Sequence, residues 1–229
     1  MEPTPLPNPP KPDLENADVR HLRLLRTIRR ITWAALVVVI LIGAAGLFVL
    51  PNLRPYGPYG TRLVSERPAY DFSLVGNDNK PYKLSDFRGK AVYIFFGFVN
   101  CPDVCPTTLS ELKKVYQALN PAEQSKVQVL LITADPERDT PEVLEKYVRF
   151  FHPKFLGLTG TSEQIAETAK GFGVFYIKSN IKSATEYNVD HTATTFLIDP
   201  SGKLRLLYGN GKPAQIGRML EDLRWVLGR

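Results

Sequence analysis

Cysteine occurs only twice in this chain, as Cys101 and Cys105 with Pro102-Asp103-Val104 between them. An apolar run, 91–98, leads into the pair, and a segment with helical periodicity, 107–119, leads out. A thiol at a helix N-terminus feels the positive end of the helix dipole, which lowers its pKa and makes thiolate available near neutral pH. Thiolate either attacks a disulfide or binds a soft metal, so the pair points to redox chemistry or metal capture. Two inert buried cysteines are the plain alternative. A structural disulfide is another, but it would close too small a loop to add much stability.

The elements around the pair set its geometry. Residues 72–75 and 82–84 flank the turn Gly76-Asn77-Asp78-Asn79 as a hairpin. Residues 91–98 and 127–133 are continuous apolar runs of the kind buried on both faces of a sheet. Pro106 suits the first turn of a helix whose apolar stripe is Leu109, Leu112, Val115, Tyr116 and Leu119. Thr140-Pro141-Glu142 opens a further helix to about Phe151, and Ser162 one to Lys170. A short strand at 174–177, a hairpin of 195–198 with 204–208, and an amphipathic helix over 213–227 complete the pattern. This order predicts an α/β thioredoxin-like fold with an N-terminal β-hairpin and an inserted helix.

Three histidines are present, His21, His152 and His191. His21 lies among arginines and His152 at a helix end before Pro153, where a solvated charge and a cap suffice. His191 precedes the strand at 195, and in a thioredoxin-like fold that loop faces the cysteine pair. Two thiolates and an imidazole form a soft three-ligand set that favours copper(I), or zinc if a fourth ligand joins. The imidazole also allows copper(II). Asp135, at a strand end beside the site strand, and Asp190, next to His191, are candidates for supporting the ligands, Asp190 through the second ring nitrogen.

Residues 31–50 carry no charge over twenty positions, enough to cross a hydrocarbon core of about 30 Å. Arg20, Arg23, Arg26, Arg29 and Arg30 precede this run, and Arg54 follows. The positive-inside rule then puts the N-terminus in the cytoplasm and the later residues on the extracytoplasmic side. Residues 1–30 read as a disordered proline-rich tail with the arginine cluster, 31–50 as an uncleaved transmembrane anchor, 51–67 as a spacer and 68–229 as the folded domain. The formal charge of +6 is spread among interleaved acidic residues and marks no nucleic-acid surface.

The segments Phe96-Gly97-Phe98, Cys101-Pro102-Asp103-Val104-Cys105-Pro106, Asp135-Pro136-Glu137-Arg138-Asp139-Thr140-Pro141, Gly157-Leu158-Thr159-Gly160 and Val189-Asp190-His191 together resemble the Sco/SenC family. These are membrane-anchored copper-binding proteins that help assemble cytochrome c oxidase, and the resemblance runs from about Phe72 to Tyr208. It implies a copper site of Cys101, Cys105 and His191. It also implies delivery to the dinuclear copper centre of oxidase subunit II, on the periplasmic side, with copper-donor and thiol-reductant proteins as further partners. The same cysteines would cycle to a disulfide if the protein instead acts as a thiol–disulfide oxidoreductase on that or another partner. Asn100 departs from the family pattern, which often has histidine there, and should alter only the surroundings of the site.

Overall fold

The computed structural model describes residues 14–49, 56–63, 67–183, 186–209 and 215–228. The chain divides into two units, residues 1–56 and 57–229. The first contains helix α1, Leu14–Val49. Within it, Leu25–Ala45 has a mean hydropathy of 1.9, long and apolar enough to cross a membrane. The helix takes in the arginine cluster expected to belong to a disordered tail; no proline follows Pro12 until Pro51, so nothing interrupts it. The rest of the expected tail lies outside the described residues.

In the second unit an eight-stranded sheet runs in the order β1-β10-β9-β4-β5-β6-β2-β3. Its strands are β1 Thr61–Arg62, β2 Ser73–Gly76, β3 Pro81–Lys83, β4 Ala91–Gly97, β5 Val127–Thr133, β6 Leu156–Thr159, β9 Thr194–Ile198 and β10 Leu204–Gly209. Strands β4, β5 and β6 are mutually parallel, and β9 runs antiparallel to β4. Helices α2 Val104–Gln117, α3 Pro121–Gln124, α4 Pro141–Phe151, α5 Ser162–Phe172 and α6 Ile216–Val226 complete the unit. A separate hairpin of β7 Tyr176–Ser179 and β8 Asn188–His191 carries the histidine. This is the expected thioredoxin-like α/β plan with its added N-terminal hairpin and inserted helix.

Strand parity sorts the core. Tyr93 and Phe95 of β4 pack with Leu109 and Leu112 of α2, Leu144 of α4 and Leu223 of α6. Val92, Ile94 and Phe96 point the other way, against Leu74 of β2 and Ile165 and Phe172 of α5. Alternate side chains of a strand face opposite sides, so a central strand covered by helices on both sides must be apolar throughout, as β4 is.

Several boundaries differ from expectation, among them that of β7, which spans Tyr176–Ser179 rather than 174–177. Part of the anticipated spacer belongs to the folded unit: β1 pairs with β10, and the carboxylate of buried Asp222 accepts the N–H groups of Tyr59 and Gly60 at 2.9 and 2.8 Å. A two-residue strand carries no periodic signal of its own. Helix α2 starts at Val104 rather than Thr107, which places Cys105 inside its first turn. Strands β6 and β8 were not expected. Leu156-Gly157-Leu158-Thr159 is too short for alternation to stand out, and β8 exists only through its pairing with β7.

Candidate metal centre

The site lies where β4 ends. Gly97 closes the strand with its missing side chain aimed at the α2 face; a Cβ there would stand 2.9 Å from Cys105 Sγ and 2.7 Å from a Phe95 ring carbon. Glycine is therefore what lets the first turn of α2 approach the sheet. The chain then turns through residues 98–103, and both cysteines are free thiols. Cys101 stands just before the helix, and the Cys105 N–H points at its Sγ at 3.4 Å. One helix N-terminal donor, which has no partner within the helix, is thus directed at sulfur.

His191 ends β8 and lays Nε2 3.6 Å from Cys105 Sγ. The rings of Phe95 and Phe98 meet the imidazole edge-on, with centroids 6.0 and 5.7 Å away. Its Nδ1 lies 3.4 Å from the Thr192 carbonyl, which can only accept. That contact favours a proton on Nδ1 and leaves the Nε2 lone pair facing the cysteines. Burial holds the His191 pKa below the usual histidine value, so the ring is neutral near pH 7. One donor atom from each of Cys101, Cys105 and His191 falls within 4.8 Å of the others. Two ligands bound at ~2.0–2.3 Å to one ion and ~120° apart are separated by about 3.7 Å, so only small adjustments close this set around a soft cation.

The expected acidity of the thiols needs correction at Cys105. Burial, reinforced by the neighbouring Cys101 sulfur and the Asp139 charge, pushes its pKa up rather than down. Desolvation outweighs the helix dipole for a fully buried sulfur. A second correction concerns Asp190. Its side chain is exposed, and Thr192, not a carboxylate, faces the second imidazole nitrogen. Asp135 is fully buried but reaches neither cysteine nor histidine; it accepts from Tyr187 Oη at 2.6 Å and from Arg138 Nε.

Asp139 closes the cysteine side. Its Oδ2 accepts from the Val99 N–H at 3.1 Å and Thr133 Oγ1 at 2.7 Å. Its other oxygen, and the Tyr147 hydroxyl, are buried without a hydrogen-bond partner among the described residues. Burial moves the Asp139 carboxyl up to about 6. Asp139, Gly97 and Arg138 all lie in quoted sequence segments, yet their roles depend on approach distances that a sequence does not carry. His152 is structural as expected: it caps α4, accepts from the Lys154 N–H and packs at a tilt against the Tyr116 ring.

Comparison with known proteins places this arrangement. Residues 63–228 match the SCO1/SenC family model. A SCO2-like protein of Rickettsia felis is 36% identical over 195 residues, covering 81% of this chain and 94% of the relative. Apo Sco1 of Thermus thermophilus is 49% identical and superposes over 75% of this chain and 98% of its own with a TM-score of 0.69. Yeast Sco1, solved with copper bound, is 33% identical over 69% of this chain and 88% of its own, with a TM-score of 0.61. With a family match across nearly the whole folded unit and relatives of this identity and coverage, the chain belongs to the SCO1/SenC family.

Proposed function

We propose that this protein is a membrane-anchored copper carrier that takes up copper through Cys101, Cys105 and His191 and passes it to the dinuclear copper centre of cytochrome c oxidase subunit II. The observation that carries this reading is the convergence of two sulfurs and one imidazole nitrogen within 4.8 Å at the mouth of the α2 turn. Thiolate selects soft copper(I), and imidazole adds a ligand that copper(II) also accepts. The copper bound in yeast Sco1 supports the same cargo. Three protein ligands leave room for an acceptor's ligand to enter during transfer.

Each residue has a distinct task. Cys101, half-exposed, is the first sulfur that incoming copper meets. Cys105 must lose its proton as copper binds, so uptake releases protons and weakens as pH falls. His191 arrives already neutral, its Nε2 directed inward. The uncharged stretch of helix α1 supplies the anchor, and the arginines that precede that stretch keep the N-terminus in the cytoplasm.

A thiol–disulfide oxidoreductase is the second reading, favoured by the two free thiols placed four residues apart. Copper occupancy of the oxidase, measured at low external copper in strains carrying His191→Ala, Cys101→Ser or Cys105→Ser, separates the two. Delivery requires all three side chains, so each strain should have empty oxidase copper sites. Full occupancy in the His191→Ala strain would overturn copper delivery and leave thiol exchange.

A further inference from the structure

The hairpin carrying His191 stands apart from the main sheet: among the described residues β7 and β8 pair only with each other. Its attachment to the site is made by side chains. Tyr187, just before β8, is buried, and its hydroxyl donates to Asp135 Oδ1 at 2.6 Å. Asp135 follows β5, which runs beside the strand that delivers the cysteines. Arg138 donates through Nε to the other Asp135 oxygen and through Nη1 to the Tyr187 carbonyl at 3.0 Å. Its guanidinium carbon lies 3.7 Å from the centre of the Tyr187 ring. From β7, Lys178 reaches the same ring at 4.5 Å and pairs with Glu137 at 2.6 Å.

The turn after β5 therefore grips the hairpin at both backbone and ring. His191 lies four residues beyond Tyr187 on an extended strand, so an error at the grip is carried to the imidazole. We infer that Asp135, Arg138 and Tyr187 are positioning residues that hold His191 over the cysteine pair by latching its hairpin to the β5 end. Arg138 is suited to this because its planar fork satisfies a carboxylate and a carbonyl at once while its face covers an aromatic ring. Phe95 and Phe98 limit the tilt of the imidazole, but neither fixes how far the strand extends. The latch deepens the copper reading, on which its metal-dependent consequences rest; its effect on the hairpin is independent of any metal.

The test uses the full-length protein in detergent with Tyr187→Phe, which removes one hydroxyl and keeps the ring, and Arg138→Met, which removes the fork. In the metal-free protein, amide exchange of Ile177 and Asp190, which face each other across the hairpin, should accelerate about tenfold or more, the worth of a buried charge-assisted hydrogen bond, while β4 and β5 stay protected. In the copper(II)-loaded protein both variants should weaken the imidazole-nitrogen coupling in the electron paramagnetic resonance spectrum, as His191→Ala does. Neither should lower copper affinity further when combined with His191→Ala. Unchanged hairpin exchange, or protection lost equally in β4 and β5, overturns the latch. So does an affinity loss that persists at full size in the His191→Ala background. If the unsubstituted protein binds no copper, the copper reading fails while the exchange measurement still decides the latch.

Discussion

Two cysteines of one pair differ in chemistry because one is half-exposed and the other fully buried. Reactivity follows thiolate fraction and access together. In the reduced, metal-free protein, Cys101 should be alkylated at least about tenfold faster than Cys105. Equal labelling of both in a mass-spectrometric time course would contradict the burial of Cys105. Asp139 offers a sharper test through pH. Its folded-state pKa of about 6 lies above the ordinary aspartate value, so between about pH 4 and 6 the native state binds more protons than the unfolded chain. Stability from this group is therefore full below about pH 4 and is lost as pH rises through about 6. In Asp139→Asn the amide oxygen can keep the Val99 and Thr133 bonds without a buried charge. This variant should be more stable by about 2 kcal/mol at pH 8, roughly 5 °C in Tm, and unchanged near pH 4. Thermal unfolding at the two pH values checks this, and equal Tm at pH 8 would count against it.

Between elements, the contact that matters most is the approach of α2 to the end of β4. An alanine Cβ at Gly97 would press on the Phe95 ring and the Cys105 sulfur at distances no packed core tolerates. Gly97→Ala should cost about 1–3 kcal/mol of stability and weaken copper binding, because relief requires Cys105 to move. Denaturant unfolding and copper titration measure the two effects, and a variant with native stability and affinity would disprove the close approach. At the far side of the same face, Asp222 on α6 holds the start of the folded unit by accepting from Tyr59, Gly60 and Tyr208. Asp222→Asn puts an amide N–H₂ against donors already present. It should cost about 3 kcal/mol and accelerate amide exchange at Thr61 and Leu63 before the rest of the sheet.

For the whole molecule, the proposed orientation rests on the charge flanking the apolar stretch of α1. Five arginines lie in the ten or so residues before the uncharged run and one lies soon after it. Protease added to intact spheroplasts should remove the cysteine-bearing unit and spare residues 1–30. Protection of residues 57–229 until the membrane is breached would mean the inverse orientation. Copper delivery to a dinuclear centre outside the cytoplasm needs the first outcome, so this experiment bears on function as well as topology.

The apolar run of β4, the cysteine spacing, the α2 stripe and the charge-free stretch at 31–50 were legible directly, because each reports its own environment through composition or period. They were enough for the fold class and for the cysteine pair as the chemical centre. Joining His191 to that pair took the fold as an intermediate, since 86 residues separate it from Cys105. Only the tertiary structure decided that Cys105 is less acidic than a helix terminus suggests, because desolvation depends on what packs over the sulfur. Likewise Asp135 serves the hairpin through Tyr187, and Thr192, not Asp190, faces the imidazole nitrogen. Local sequence fixes which groups are present and how often they recur. Which partner each one meets is set by strand pairing and helix approach over long separations, and the acidity and direction of the site's donors follow from those meetings.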